Sequence, residues 1–391
     1  MKRTYEYRAL PQKGQARALD KMLWMTRMLY NAALEERIGC YAKTGKTISA
    51  YNQMKSLTQI RKEDDEWRGI SVFIGRGALK TIDLAFKAFF RRVKSGEKPG
   101  FPRFKGRDRW RMLHLETNYQ IHDGKGKWAH LTFKGLPGKL RVWRHRPIPA
   151  DAKQLLARLV RDAKGWKLQL VLDLPDVEPV AVAGITGIDV GITHFLATDA
   201  GDTIPNPRLL QLELKRLRVE QRALARKKRG GGNRARQKQR VSRLHMRVRN
   251  RRKDFHYKTA TALLAKGNSI AVEDLNIKGL ARSKLARQVA DVSWAEFVTR
   301  LENKAESAGL QVHRVDPKLT SQQCSGCGEI VRKSLAVRVH DCPHCGLRLD
   351  RDHNAAVNIK NRAGGSPLGV KHGAVMPACP QALKSENQHL C

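Results

Sequence analysis

The sequence predicts a multidomain α+β chain. A small β unit carrying inserted helices comes first, followed by a sheet-based α/β part interrupted by a cysteine-rich insertion. Three observations lead there. Helical spacing, clearest at Leu79, Ile82, Phe86, Phe89 and Val93, gives way to strand patterning from about 110 to 178. A proline-containing linker, "PDVEPVAVAG" at 175–184, then opens onto short apolar strands. Late in the chain two Cys-x-x-Cys pairs precede a helix-like "NAAVNIKN".

Taken in order, residues 1–9 alternate as a short strand, and Leu19, Met22, Leu29 and Ala33 follow at helical steps. The second helix ends in "SGEKPGFPRFKGR", where Pro99, Gly100 and Pro102 break it among basic residues. Phe101 and Phe104 there suit either base stacking or apolar anchoring of the loop. "WAHLTFKG", "GKLRVWRH" and "WKLQLVLDL" read as strands. Beyond the linker, "ITGIDVGITHFLATDAG" reads as two strands joined tightly at Gly191. Two helical stretches between about 208 and 265, split by "RGGGNR", form a predicted hairpin. A strand "NSIAVEDL", a helix around 293–308 and a strand "LQVHRVD" follow. The tail after Gly364 is rich in Pro, Gly and polar residues and is expected to be mobile.

Charge narrows the function classes. With 76 Lys and Arg against 36 Asp and Glu, the net charge is +40, so the chain repels itself unless a polyanion neutralises it. Long contact with a phosphate backbone is the direct inference. The predicted hairpin concentrates that charge, with 18 Lys or Arg between Lys215 and Lys253. No membrane span is expected, because "MLWMTRMLY" is too short and carries Arg27. The start, "MKRTYEYRALPQKGQ", lacks the apolar core of a signal peptide, so a cytoplasmic location is expected.

Seven cysteines, an odd number with four in paired knuckles, suit a reducing compartment and a metal. Cys324, Cys327, Cys342 and Cys345 have the spacing C-x2-C-x14-C-x2-C. The knuckles "CSGCG" and "CPHCG" each end in a glycine that permits the tight turn aiming both thiolates inward. Four thiolates select zinc and leave no open position for catalysis, which makes this a structural zinc site. His340 and His344 are alternative ligands, disfavoured against the four sulfurs.

Three acidic residues stand at chemically informative places. Asp189 lies in the apolar "GIDVGI", Glu273 ends the apolar "SIAVE", and Asp352 opens a helix in "DRDHNAAVNI". Each has a plain structural reading: a turn former before Gly191, a strand-end charge followed by Asp274 as a cap, and a helix N-cap. As a set they match what phosphodiester hydrolysis needs, namely carboxylates converging on two hard cations about 4 Å apart.

"GIDVGITHFLATDAG", "AVEDLNIKGL" and "LDRDHNAAVNI", with "TSQQCSGCG", resemble the three RuvC motifs and the zinc ribbon of the TnpB proteins. Those proteins are encoded by insertion sequences and are related to the type V CRISPR effector nucleases. The resemblance extends more generally into the N-terminal half through "YRALPQKGQ" and "KPGFPRFKG". By motif position it implies Asp189, Glu273 and Asp352 as catalytic ligands of two magnesium ions. Asp350 does not match the Asp-x-Asn-Ala-Ala pattern.

The resemblance also implies a fold: a β-barrel-like unit with inserted recognition helices, then a RuvC or ribonuclease-H-like domain with an inserted zinc ribbon. The corresponding expectation for domains is a nucleic-acid-binding half at 1–183 with inserted helices at about 12–110. The nuclease domain then occupies 184–319, the ribbon 320–348, the last helix 349–363 and the tail 364–391. Implied partners are a guide RNA and a double-stranded DNA target, met by a monomer in a prokaryotic cytoplasm at the nucleoid. The ribbon is expected to brace the third carboxylate while turning Arg332, Lys333 and Arg338 to nucleic acid. Two alternatives remain: a transposase that itself transfers DNA strands, and a nuclease-inactive, guide-dependent DNA-binding protein.

Overall fold

A computed structural model describes residues 1–280, 282, 286–334 and 336–364. The tail expected beyond Gly364, with Cys379 and Cys391, lies outside the described residues. The chain divides into two compact units, Met1–Asp176 and Val177–Cys391.

In the first unit, β1 (Lys2–Leu10) leads into four helices: α1 (Lys13–Thr44), α2 (Ala50–Glu63), α3 (Asp65–Gly69) and α4 (Val72–Lys94). Six strands follow: β2 (Met112–Glu116), β3 (Gln120–Asp123), β4 (Trp128–Thr132), β5 (Leu140–Trp143), β6 (Lys153–Asp162) and β7 (Gly165–Asp173). They form a seven-stranded sheet in the order β2-β6-β7-β1-β5-β4-β3, so β1 is central although it comes first. The helices are thus an insertion between β1 and the rest of the sheet. Leu19, Met22, Tyr30, Ile74, Leu79 and Ile82 of the helices join Leu113, Leu159 and Leu170 of the sheet in one buried core. Phe101 packs edge-on against Phe86 and Phe89, with ring centroids 5.7 and 5.3 Å apart. Anchoring of the basic loop is therefore a role it performs here.

The second unit is built on β8 (Ile185–Val190), β9 (His194–Thr198), β10 (Thr203–Pro205), β11 (Ser269–Glu273) and β12 (Val312–Val315). Their order is β10-β9-β8-β11-β12. The first three form an antiparallel meander, while β11 lies parallel to both β8 and β12. Between β10 and β11 run α5 (Leu209–Ala225) and α6 (Gly232–Leu264), the predicted basic hairpin. Leu217 on one arm and Val241, Leu244 and Val248 on the other are buried, leaving the cations outward. Short α7 (Ile277–Leu280) and α8 (Ala286–Val292) precede α9 (Trp294–Glu306). Asp291 of α8 accepts the first free amides of α5, from Leu210 at 2.8 Å and Gln211 at 3.3 Å, and so caps the hairpin. Phe195 of β9, Phe255 of α6 and Phe297 of α9 meet edge-to-face beneath it, centroids 4.7 and 4.8 Å apart.

After β12 the chain makes the two cysteine knuckles and a small hairpin, β13 (Val339–Asp341) with β14 (Arg348–Asp350), before α10 (Arg351–Gly364). The small residues of "NAAVNI" let α10 lie close on the sheet, with Ala355, Ala356 and Ile359 buried. Contact is tightest at Gly187 of β8, where a Cβ would fall 2.1 Å from the Ala356 carbonyl oxygen. That backbone cannot give way as a flexible side chain would. Gly187→Ala should therefore destabilise this unit by about 3 kcal/mol, a melting shift of roughly 6–12 °C. Calorimetry checks this, and an unchanged melt would rule out so close a contact. Among the described residues no helix is long and apolar enough to cross a membrane.

Candidate active site and cysteine centre

Gly187 faces α10, and side chains two apart on a strand share a face, so Asp189 also points to that side. β11 runs parallel to β8 with Ala271 beside Gly187 and Val272 beside Ile188. The next same-face residue on β11 is Glu273, level with Asp189. Both carboxylates therefore stand on one face, at the carboxyl ends of adjacent parallel strands, where α/β sheets form their binding crevices. On α10, Asp352 lies one turn before Ala356 and so projects over the same end; it is 7% exposed. Gly191, in the β8–β9 turn, borders this end of the sheet: a Cβ there would lie in ordinary contact, 3.9 Å from Asp352 Oδ2.

Asp189 senses the other two acids. Burial drives the Asp189 carboxyl well above its ordinary range, and the nearby Glu273 and Asp352 charges push the same way. Arg351 and Arg338 oppose that rise. Burial likewise raises Glu273, against a hydrogen bond from Thr320 and the charge of Arg362. Asp352 Oδ1 lies 3.2 Å from Arg351 and 3.5 Å from Arg338. Among the described residues, the group of three or more metal-ligating atoms within 4.8 Å of one another is the cysteine set. The carboxylates share a face, with the guanidinium groups of Arg351 and Arg338 beside Asp352. Like charges in a partly dry site recruit cations, which accounts for the two arginines there.

The plain structural readings of the acids fare differently. Asp189 lies inside β8, paired with Ala197, and is not part of the turn. Asp274 forms an ion pair with Arg314 at 2.9 Å. Helix α10 is capped by Asp350, whose Oδ1 accepts from the Asp352 amide at 2.8 Å and the His353 amide at 3.3 Å. Capping therefore falls to the neighbour and leaves Asp352 turned into the site.

Cys324, Cys327, Cys342 and Cys345 place all four Sγ atoms within 4.8 Å of one another. The Cys324–Cys345 and Cys327–Cys342 separations are 3.6 Å. Tetrahedral zinc with bonds of about 2.3 Å implies sulfur–sulfur distances of roughly 3.8 Å, so the four residues fit that metal. Gly328 and Gly346 adopt φ of 83° and 73°, the left-handed turn the knuckles require. Burial and the neighbouring cysteines push Cys327 up to about 12. Cys342 is drawn down to about 7: burial opposes this, but the Cys345 and His344 amides outweigh it. The histidines take no part in the cluster. His340 is buried with Nδ1 2.5 Å from Lys333 Nζ, and His344 is exposed.

Sequence reasoning placed Arg332, Lys333 and Arg338 toward nucleic acid. In the structure Lys333 turns to His340, and Arg338 reaches Thr193 and Asp352. Arg351, Thr320, Asn354 and Asn358 went unnoticed. The repeat of Asn at 354 and 358, one turn apart in a buried helix, was the signal available.

Residues 169–284 match a family described as "Probable transposase", residues 294–359 a "Cas12f1-like, TNB domain", and residues 1–46 a "Helix-turn-helix domain". Here residues 1–46 comprise one strand and one long helix. A "Putative RNA-guided DNA endonuclease" of Streptomyces pristinaespiralis is 30% identical over 365 residues, covering 92% of this chain and 89% of the relative. "Putative RNA-guided DNA endonuclease InsQ" of Escherichia coli is 25% identical over 380 residues, covering 91% and 90%. The fold resembles that of Cas12f1 in its complex with sgRNA and target DNA, with TM-score 0.60, 17% identity, and 90% and 84% coverage. On motifs, fold and extended identity together, the chain belongs to the TnpB family of insertion-sequence-encoded RNA-guided nucleases.

Proposed function

We propose that this chain is a transposon-associated, RNA-guided DNA endonuclease whose magnesium-dependent RuvC-like site consists of Asp189, Glu273 and Asp352. The observation that carries this reading is the parallel register of β8 and β11, which sets two carboxylates side by side beneath the third. The sheet order supports a ribonuclease-H-type domain, since an antiparallel meander continues into parallel strands. The names of the extended relatives support the RNA-guided activity.

Magnesium, when bound, would activate water and stabilise the leaving oxygen. The protein's part is to hold Asp189 and Glu273 on rigid strand ends and Asp352 on a capped helix. Arg338 and Arg351 supply positive charge beside them, which lessens the repulsion a phosphate would meet. The cysteine centre, filled with zinc, would fix the ribbon at 320–348 before the last helix at 349–363. The half at 1–183, with its seven-stranded sheet, and the basic hairpin at 208–265 suit a grip on guide RNA and DNA by backbone charge, while base pairing supplies selectivity. Strand transfer by the chain itself would fit the description "Probable transposase" over residues 169–284, but the relatives that extend over the whole chain carry the endonuclease name.

The test is to purify the protein from cells carrying its element and sequence the bound RNA. One discrete species with a variable 3′ segment is expected, and that segment, once rewritten, should redirect cleavage of double-stranded DNA. A random cellular mixture, or cleavage indifferent to the segment, would overturn the reading.

A further inference from the structure

Residues 320–325 join the first cysteine knuckle to the acidic site through hydrogen bonds at both ends and in the middle, and the Thr320 hydroxyl also lies 3.2 Å from the Pro317 carbonyl oxygen. Thr320 is 3% exposed, Cys324 and Asn354 are fully buried, and Asn358 is 2% exposed. At one end, the Thr320 hydroxyl donates to Glu273 Oε1. In the middle, the Gln323 carbonyl accepts from both asparagine amides of α10, Asn354 at 2.8 Å and Asn358 at 2.7 Å. Asn358 also donates to the Thr320 carbonyl at 2.9 Å. At the far end, the Ser325 amide, next to Cys324, donates to Asn354 Oδ1 at 3.0 Å. A side-chain amide that accepts on one atom and donates from the other, as that of Asn354 does, has a single fitting orientation. Asn358 donates to two carbonyls while its buried Oδ1 accepts from no described residue, so Asn354 fixes the register between α10 and the knuckle and Asn358 adds a second tie. Asp352 sits two residues before Asn354 on that same helix.

We propose that Thr320, Asn354 and Asn358 are positioning residues that latch the first cysteine knuckle to Glu273 and Asp352. This rests on the reading of the three carboxylates as metal ligands. Polar partners of this kind orient ligating carboxylates, and losing one weakens metal binding by ~10–100-fold. The latch transmits order in both directions. A folded knuckle holds Thr320 against Glu273 and α10 in place, and a displaced α10 loosens the knuckle.

The experiment uses the full chain with its co-purified RNA. Mn²⁺ binding is followed by electron paramagnetic resonance, and zinc release to a chromophoric chelator is timed. Thr320→Val keeps the shape and removes the hydroxyl. It should weaken Mn²⁺ binding ~10-fold with normal zinc content, while Thr320→Ser restores wild-type binding. Asn358→Asp turns a carboxylate oxygen toward two carbonyls. It should weaken Mn²⁺ binding and also speed zinc release ~10-fold. Asp352→Ala is the control. If it loses Mn²⁺ while Thr320→Val and Asn358→Asp bind as wild type, the latch is overturned and the carboxylate reading stands. If Asp352→Ala itself binds as wild type, the carboxylate reading fails and takes the latch with it. Should Asn358→Asp fail to accumulate, Thr320→Val against Thr320→Ser decides alone.

Discussion

Asp189→Ala, Glu273→Ala and Asp352→Ala should each lower DNA cleavage by at least ~10³-fold, corresponding to several kcal/mol of transition-state stabilisation. Guide-RNA retention should be unchanged, because the three side chains cluster at one end of one sheet, apart from the outward cations of α5 and α6. Stability should move the opposite way. Burial and its acidic neighbours disfavour the charge on Asp189, so a neutral, isosteric amide removes a cost of folding. Asp189→Asn should therefore melt no lower than wild type in chelator while failing to cleave. The paired readouts are a cleavage time course and a melt on the same preparations. A variant that loses cleavage only because it unfolds would count against an assignment to chemistry.

Loss of the cysteine centre should have the second large effect. Zinc binding by such sets contributes about 10–16 kcal/mol of apparent free energy, which for a segment with so little core is its folding energy. Cys342→Ser should leave residues 320–350 without protection in hydrogen exchange and without zinc by elemental analysis. The sheet of the first unit should keep its protection. Cleavage should fall as well, because the Thr320 and Asn358 contacts lie within the segment that loses order. Full cleavage by zinc-free protein would separate the ribbon from the chemistry.

Much of the site was legible because its signals are local. Asp189 stands inside an apolar run and Glu273 ends one, and the cysteine spacing specifies a tetrahedral set by itself. What could not be read was register. Nothing local says that Ala271 stands beside Gly187, yet that pairing brings Glu273 level with Asp189. The nearness of Arg338 to Asp352 was hidden for a related reason. It precedes Asp352 by a full cysteine knuckle and a hairpin, and only their folding brings the two together. In the first unit α2 escaped notice because only Gln53 and Leu57 of its residues are buried, too few to give a helical period. α4 stood out because its apolar face is wide and continuous, from Ile74 to Ile82 in the core and onward to Phe86 at its edge. The capping of α10 was half visible: two aspartates flank Arg351, and backbone geometry decides which one caps.

Crystals soaked in Mn²⁺ and examined by anomalous scattering test the central claim most directly. Manganese density bounded by Asp189, Glu273 and Asp352, with Arg338 and Arg351 drawn back from Asp352, is the predicted result. Manganese bound elsewhere, with Asp352 left on its guanidinium partners, would contradict it.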